Sequence, residues 1–364
     1  MSLAETAEQK QLRDWLRRLL HDHAPTSATL AVMETDAAHD RQLWKLMASQ
    51  LGLQAMLVPE QYGGAESGVA DIAVVMEELG RVALPSPFLP SAVLATRLLV
   101  DGATDAAQAR LLPGLASGES IACVVLPGDI TATRHGDQWR LNGRSRPVIC
   151  GDVADIVLVV ASVPGGHALF EVRTGANGLS RQRLPSLDLT RTLADLHFAA
   201  VPANHISELG DVTAAAESAL DIALIALGAE QVGGARHCLD RAVEYAAMRT
   251  QFGRPIGSFQ AVKHACANML ALVEPARSAV LFAAHAADAA DPELPALASV
   301  VKAHCPEVYL QAAAETIQLH GAIGFSWEHE AHLHLKRAKS GQLLFGDARH
   351  HRERMLSLAL DRWS

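Results

Sequence analysis

The sequence predicts an α+β fold, mostly α: an N-terminal α-helical domain over residues 1–119, a middle antiparallel β-barrel or sandwich over 120–210, and a C-terminal α-helical bundle over 211–364. Three observations predict it. Apolar residues recur at helical spacing up to about Gly118. Short β-branched runs cut by turn residues fill the stretch from about Ser120 to Leu209. The helical period then returns from about Asp211 and holds to the end.

In the first part, Leu12, Trp15, Leu16 and Leu19 mark one helix, with Arg and Asp between them. The run Leu43 to Leu53 marks a second, ending in the turn Pro59–Gly64. Ile72 to Val82 marks a third, after which Pro85, Pro87 and Pro90 break the chain. In the middle part, Ile121–Leu126, Gln138–Leu141, Ile156–Val163 and Ala168–Val172 read as strands, with turns at Asn142-Gly143 and Gly151-Asp152. In the last part, Thr213–Arg249 reads as one long Ala-rich helix stopped by Gly253, Pro255 and Gly257. Ser258 is a candidate N-cap for a helix from Phe259 to about Ala289. A helix from about Ala296 to His320 follows, then a break at Gly321 and Gly324 and two further helical segments. Long helices with short joints make a bundle.

Composition narrows the function. The chain has 364 residues, about two or three domains at roughly 150 residues each. It is 49% apolar and 20% charged, with a net charge of −9. An acidic chain without a Lys/Arg stripe is not expected to bind nucleic acid, which needs cations against phosphates. The five cysteines, Cys123, Cys150, Cys238, Cys266 and Cys305, lie far apart in sequence and suit reduced intracellular thiols. No stretch of about 18 uncharged apolar residues occurs, and the N-terminus has no apolar leader. The expectation is a soluble cytoplasmic chain without a membrane partner.

Among possible chemistries, metal binding at His329, His332 and His334 fails on spacing, because HExH is one residue short of the i, i+4 pair that faces one metal. Exposed helix-surface histidines are expected there, and a solvated charged face at His350-His351. No nucleophile elbow, P-loop or dinucleotide fingerprint is present. The segment Arg249–Gln260, RTQFGRPIGSFQ, has two readings. Arg249 can reach outward to a diphosphate beside the flat face of Phe252, or it can cap carbonyls while Phe252 and Phe259 fill core.

RTQFGRPIGSFQ, together with Gln318–Phe325 (QLHGAIGF), closely resembles the two signature segments of the flavin-dependent acyl-CoA dehydrogenase family. PEQYGG (Pro59–Gly64) followed by MEELGR (Met76–Arg81) resembles its N-terminal domain. The resemblance covers essentially the whole chain. It implies a helical domain, a β-domain and a four-helix bundle, with FAD held at a subunit interface. It also implies that Arg249, Gln251 and Phe252 reach the diphosphate and adenosine half of FAD, and that Gln318 and Gly321 line the same half. Ala322 replaces a glycine common in the family.

The reaction end departs from the family pattern. The family removes an α-proton with a carboxylate while hydride leaves the β-carbon for the flavin. Of its two known base positions, one falls on Phe345, before Gly346. The other falls on Ala223, followed by Leu224 where an arginine often stands. In the middle domain, Leu126 takes the place of a glutamate, and Pro147–Ile149 that of a segment that packs on the flavin ring. This pattern resembles the smaller, non-catalytic subunits of heteromeric bacterial acyl-CoA dehydrogenases. The implied partners are an acyl-CoA thioester, a catalytic paralogue or a second copy, and an electron-accepting flavoprotein. A self-sufficient dehydrogenase would need a relocated base: Asp347, which can otherwise N-cap the helix Ala348–Leu360, or less favourably Asp221. A flavin-free scaffold or acyl-CoA-binding subunit is the third alternative.

Overall fold

The computed structural model describes residues 4–35, 37–208 and 210–360. Helices come first: α1 (Ala7–His23), α2 (Thr26–Met33), α3 (Arg41–Leu51), α4 (Val69–Arg81), α5 (Thr96–Gly102) and α6 (Asp105–Ala116). Eight strands follow: β1 (Ala122–Val125), β2 (Thr131–His135), β3 (Gln138–Arg144), β4 (Val148–Ile149), β5 (Ile156–Val163), β6 (Gly166–Arg173), β7 (Leu179–Arg183) and β8 (Leu193–His205). Then come α7 (Thr213–Met248), a hairpin of β9 (Thr250–Gln251) and β10 (Arg254–Pro255), α8 (Gln260–Asp288), α9 (Leu294–His320), α10 (Ala331–Leu343) and α11 (Ala348–Leu360).

These elements form two compact units. One takes in α1, α2 as far as Ala31, α4, α7 from Leu224, and α8 to α11. The other takes in α3, α5, α6, the strands β1 to β8, and the start of α7 up to Ala223.

In the first unit α7 is the central element, and its composition explains why. Its run from Ile222 to Leu239 is almost wholly buried, and its small residues let neighbours approach closely. A Cβ on Gly233 would collide with the carbonyl of Glu77 on α4. A Cβ on Gly80 of α4 would collide with that of Glu230 on α7. The two helices therefore cross backbone against backbone. Gly234 meets the Tyr309 ring of α9 in the same way.

Around this crossing runs an ion network, buried at Arg13, Glu77 and Glu78 and partly exposed at its edges. Arg13 on α1 reaches Glu5 at 2.6 Å, Glu77 at 2.9 Å and also Glu78. Arg277 on α8 reaches Glu77 at 3.1 Å. Arg81 and Arg236 share Asp240, at 2.8 and 3.0 Å. A buried guanidinium is stable only when its charge and its donors are both matched, and for Arg13 the match comes from Glu5, just before α1, and from Glu77 and Glu78 of α4. On α10, Arg337 pairs with Glu230 of α7 at 2.9 Å.

By length and composition alone, α8 is long and apolar enough to cross a bilayer. Its inward stripe of Met269, Val273, Ala276, Val280 and Ala284 packs in the core, while Leu270 and Phe282 face outward. The predicted Ser258 cap is corrected. The N-cap is Phe259, without a side-chain bond, because Ser258 belongs to a 3₁₀ turn that precedes the helix.

In the second unit β5, β2, β3, β8 and β6 close into a ring, with β1 added beside β5 and with β4 and β7 beside β8. β1 runs parallel to β5; most of the other pairs are antiparallel. Val157 to Ala161 of β5 are fully buried, as expected of a continuous β-branched run. A π-helical segment, Phe88–Ala95, packs against β1, where Ser91 Oγ accepts from the Ala122 amide at 3.0 Å. β2, β4, β7 and β8 carry no run or sustained alternation that marks them as strands in the sequence. β2 (TATRH) buries only Ala132. β7 (LSRQR) buries no residue fully. β8 alternates over Ala194, Leu196 and Phe198, then loses register near Ala200, which adopts a positive φ of 52°.

None of the five cysteines is in a disulfide. Cys123, Cys150, Cys238 and Cys305 are buried, and Cys266 on α8 is partly exposed. Burial pushes the Cys123, Cys238 and Cys305 thiols well up.

Candidate functional site

The α7–α8 joint is a two-residue hairpin. Arg249 still donates its amide to Tyr245, and its carbonyl accepts from Ile256, each at 2.8 Å. Gln251 pairs with Arg254 and Thr250 with Pro255. Between them Phe252 and Gly253 take φ of 53° and 76°, the left-handed values that a two-residue turn requires at both central positions. For an aromatic residue this backbone costs roughly 1–2 kcal/mol. The Phe252 side chain is 92% exposed, which corrects the core-filling alternative for this residue. Its ring meets Phe259 edge to face at 6.1 Å, and the Arg254 guanidinium lies 4.2 Å from the Phe259 centroid. The turn thus presents a rigid aromatic face with Arg249 and Gln251, both exposed, on its flank.

The second segment begins where α9 ends. Gly321 takes φ 63° and ψ −139°, a conformation essentially confined to glycine. Gln318 and Gly321 are exposed. His320 lies between them in sequence and stacks on Tyr245 at 4.2 Å and 24°. Tyr245 precedes Arg249 by one helical turn. The stack therefore brings the C-terminal ends of α7 and α9 side by side, and the five predicted residues come to the same end of the bundle.

These residues fit the tail of a flavin dinucleotide. A guanidinium and two amides suit a diphosphate, a bare ring suits the adenosine, and a glycine without Cβ allows close approach. Helix C-termini are themselves electronegative, so an anion here depends on Arg249 rather than on the helix ends.

Beyond Gly321 the chain makes a 3₁₀ turn, Gly321–Phe325, and reaches α10 through Trp327 and Glu330. The expected exposed histidines are corrected: His332 and His334 are buried. α10 packs this face against α9, where the Tyr309 hydroxyl and His334 Nδ1 share a 2.7 Å hydrogen bond. His334 also stacks on His237 of α7 at 4.7 Å. Burial, with His237 adjacent, holds His334 far below the usual histidine range. Among the described residues no group of three or more His, Cys, Asp or Glu is arranged to hold a metal. No motif or spacing signals the role of Glu330, whose carboxylate meets His237, Arg241 and Thr26.

At the reaction-end positions the structure places apolar groups. Ala223 and Leu224 are fully buried in α7, and Asp221 is buried as well. Phe345 and Gly346 form the α10–α11 turn with φ of 57° and 99°. His351 Nε2 donates to the Phe345 carbonyl at 3.0 Å. The fully buried Lys302 of α9 donates to the carbonyls of Gln342 at 3.1 Å and Gly346 at 2.7 Å. Asp347 N-caps α11, accepting from the His350 amide at 2.9 Å. That bond first, with the Arg349 amide, holds its carboxyl below the usual range. The expected solvated face at His350-His351 is corrected for His351, which is buried under the turn and lowered by burial to about 4. In the β-domain, Val148 and Ile149 are buried in β4, and Leu126 is half-buried.

Comparison with known proteins identifies the family. Residues 6–119 match the model of the acyl-CoA dehydrogenase N-terminal domain, and residues 213–358 that of the C-terminal domain. The acyl-CoA dehydrogenase IpdE2 of Mycobacterium tuberculosis is 38% identical over 93% of each chain. Among solved structures, the Tcur3481-Tcur3483 steroid acyl-CoA dehydrogenase variant is 31% identical, with a TM-score of 0.89 over 97% of this chain and 98% of that one. The ChsE4-ChsE5 complex from Mycobacterium tuberculosis is 27% identical, with a TM-score of 0.89 over 98% of both. With both family domains in order and a relative this similar over nearly its whole length, the chain belongs to the acyl-CoA dehydrogenase family of flavoprotein oxidoreductases.

Proposed function

We propose that this chain is the non-catalytic subunit of a heteromeric acyl-CoA dehydrogenase, completing the FAD site of a catalytic paralogue. One observation carries the reading: neither family base position offers a group that can take a proton, and Asp347, two residues past Phe345, is already in use as a helix cap. Ala223 is sealed in α7, Phe345 sits in a turn held by His351 and Lys302, and Asp347 is the cap of α11. An exposed carboxylate whose pKa is lowered by backbone amides is a poor α-proton acceptor. The positions that face the ring in the family are likewise apolar, and Val148 and Ile149 are buried.

The tail-binding residues are all exposed and prearranged. Arg249 neutralises the diphosphate, Gln251 and Gln318 donate to it, Phe252 covers the adenosine, and Gly321 admits the backbone. FAD, when bound, supplies the oxidant for α,β-dehydrogenation of the acyl-CoA thioester. An electron-accepting flavoprotein then reoxidises the complex. The outward Leu270 and Phe282 of α8 suit burial against the paralogue. The solved relatives that carry two subunit names, one described as a steroid enzyme, favour a bulky polycyclic acyl group over a simple fatty one.

Co-expression with a neighbouring acyl-CoA dehydrogenase paralogue tests the reading. The expected product is a 1:1 yellow complex that loses flavin on Arg249→Ala. A chain that purifies alone, fully flavinated and oxidising acyl-CoA, would overturn it.

A further inference from the structure

The segment between Gly321 and α10 is fastened at both ends. At the near end His320 stacks on Tyr245 and lies 4.7 Å from the His329 ring. At the far end a single carboxylate gathers donors from two other helices. Glu330 Oε1 accepts from His237 Nε2 at 3.1 Å and Arg241 Nε at 2.8 Å, both on α7. Its Oε2 accepts from Thr26 Oγ1 of α2 at 2.7 Å. Glu330 also directly precedes α10, where the helix dipole favours an anion.

The donor side is anchored in turn. His237 stacks on His334, which shares a hydrogen bond with Tyr309 of α9. Burial alone would raise the Glu330 carboxyl; the His237 bond and charge, with Thr26, instead hold it well below the usual range. Charge-assisted bonds of this kind are roughly twice as strong as neutral ones. The segment itself exposes Ile323, Phe325 and Trp327, and apart from Glu330 it is held to α10 by the bond between His332 Nε2 and the Trp327 carbonyl at 2.9 Å and by the Trp327–His332 stack.

We propose that Glu330 is a positioning residue for the flavin-tail site, locking the segment whose first residue is Gly321 through its bonds to Thr26, His237 and Arg241. The inference rests on the reading that Arg249, Gln318 and Gly321 serve the FAD tail. Glu330 itself touches no ligand.

The test uses the complex with the catalytic paralogue, stripped of flavin and titrated separately with FAD and with FMN, which lacks the adenosine half. Glu330→Ala and Glu330→Gln are compared with Val280→Ala, a core truncation in α8 outside the segment. Both Glu330 variants are expected to weaken FAD about tenfold and leave FMN unchanged, while Val280→Ala lowers the melting temperature and leaves both affinities intact. Should Glu330→Ala fail to assemble, the near-isosteric Glu330→Gln decides. Equal loss of FAD and FMN, or the same FAD loss in Val280→Ala, would reduce Glu330 to a structural role and overturn the proposal. If FAD affinity falls in Arg249→Ala but not in either Glu330 variant, the lock alone is wrong. If Arg249→Ala has no effect either, the flavin-tail reading falls with it.

Discussion

Lys302 Nζ, fully buried on α9, donates to the carbonyl oxygen of Gly346 at 2.7 Å and so ties the bundle interior to the turn between α10 and α11. An ammonium is expensive to bury unless its protons are all used, and this one holds a turn in which both central residues have positive φ. Lys302→Met keeps the aliphatic stem and strands the carbonyls of Gln342 and Gly346. The expected cost is about 1–3 kcal/mol for each group left unpaired, read as a lower midpoint in urea, with faster hydrogen exchange at residues 345–348.

Asp347 separates two readings of that same turn. As a cap, Asp347→Ala should lower the melting temperature, and Asp347→Asn, itself a good cap, much less. Turnover of the assembled complex should survive both changes. Activity abolished in Asp347→Asn at unchanged stability would restore the relocated base.

The crossing of α4 and α7 tolerates no side chain at Gly80 or Gly233. Gly233→Ala, normally favourable in a helix by up to about 1 kcal/mol, is expected to destabilise by about 3 kcal/mol or more, because backbone rather than a flexible side chain must move. Circular dichroism melts of the two single variants measure this directly.

Acid should begin to weaken the fold from about pH 6.5 downward. His351 is held near 4 by burial, whereas an unfolded histidine titrates near 6.5. The unfolded chain therefore binds the proton first. The contribution is complete above pH 6.5, is lost as pH falls from 6.5 to 4, and is flat below that, on the order of 3 kcal/mol in all. His334 acts in the same direction. Denaturation midpoints between pH 7 and 4 should fall, and His351→Gln should flatten part of that slope.

Phe252 opposes stability to binding. Phe252→Gly removes the left-handed penalty and should stabilise the isolated chain by about 1 kcal/mol, while the complex retains less FAD. A variant that gains stability and keeps its flavin would show that the exposed ring is not a cofactor contact.

Much of the architecture was legible because it is written in periodicity. Leu16 and Leu19 on α1, and Val75 and Leu79 on α4, recur at helical spacing and are buried. The β-branched run of β5 is the core of the barrel. What escaped was written in partners. β7 has no apolar alternation because β8 supplies its order, and His334 looks like a surface residue until Tyr309 and His237 are set against it. The site divided the same way. Arg249 to Phe252 stand together in a turn that glycine and proline announce. Glu330, His237, Arg241 and Thr26 are spread over three segments that only folding unites.

The buried thiols make the molecule its own clock. Cys123 and Cys150 are sealed in one unit, Cys238 and Cys305 in the other, and a protonated, inaccessible sulfur does not react with an alkylating reagent. Each becomes reactive only when its surroundings open. Timed alkylation followed by peptide mass mapping would therefore date the breathing of the barrel and of the helices separately, without introducing a label, and would show which of the two gives way first.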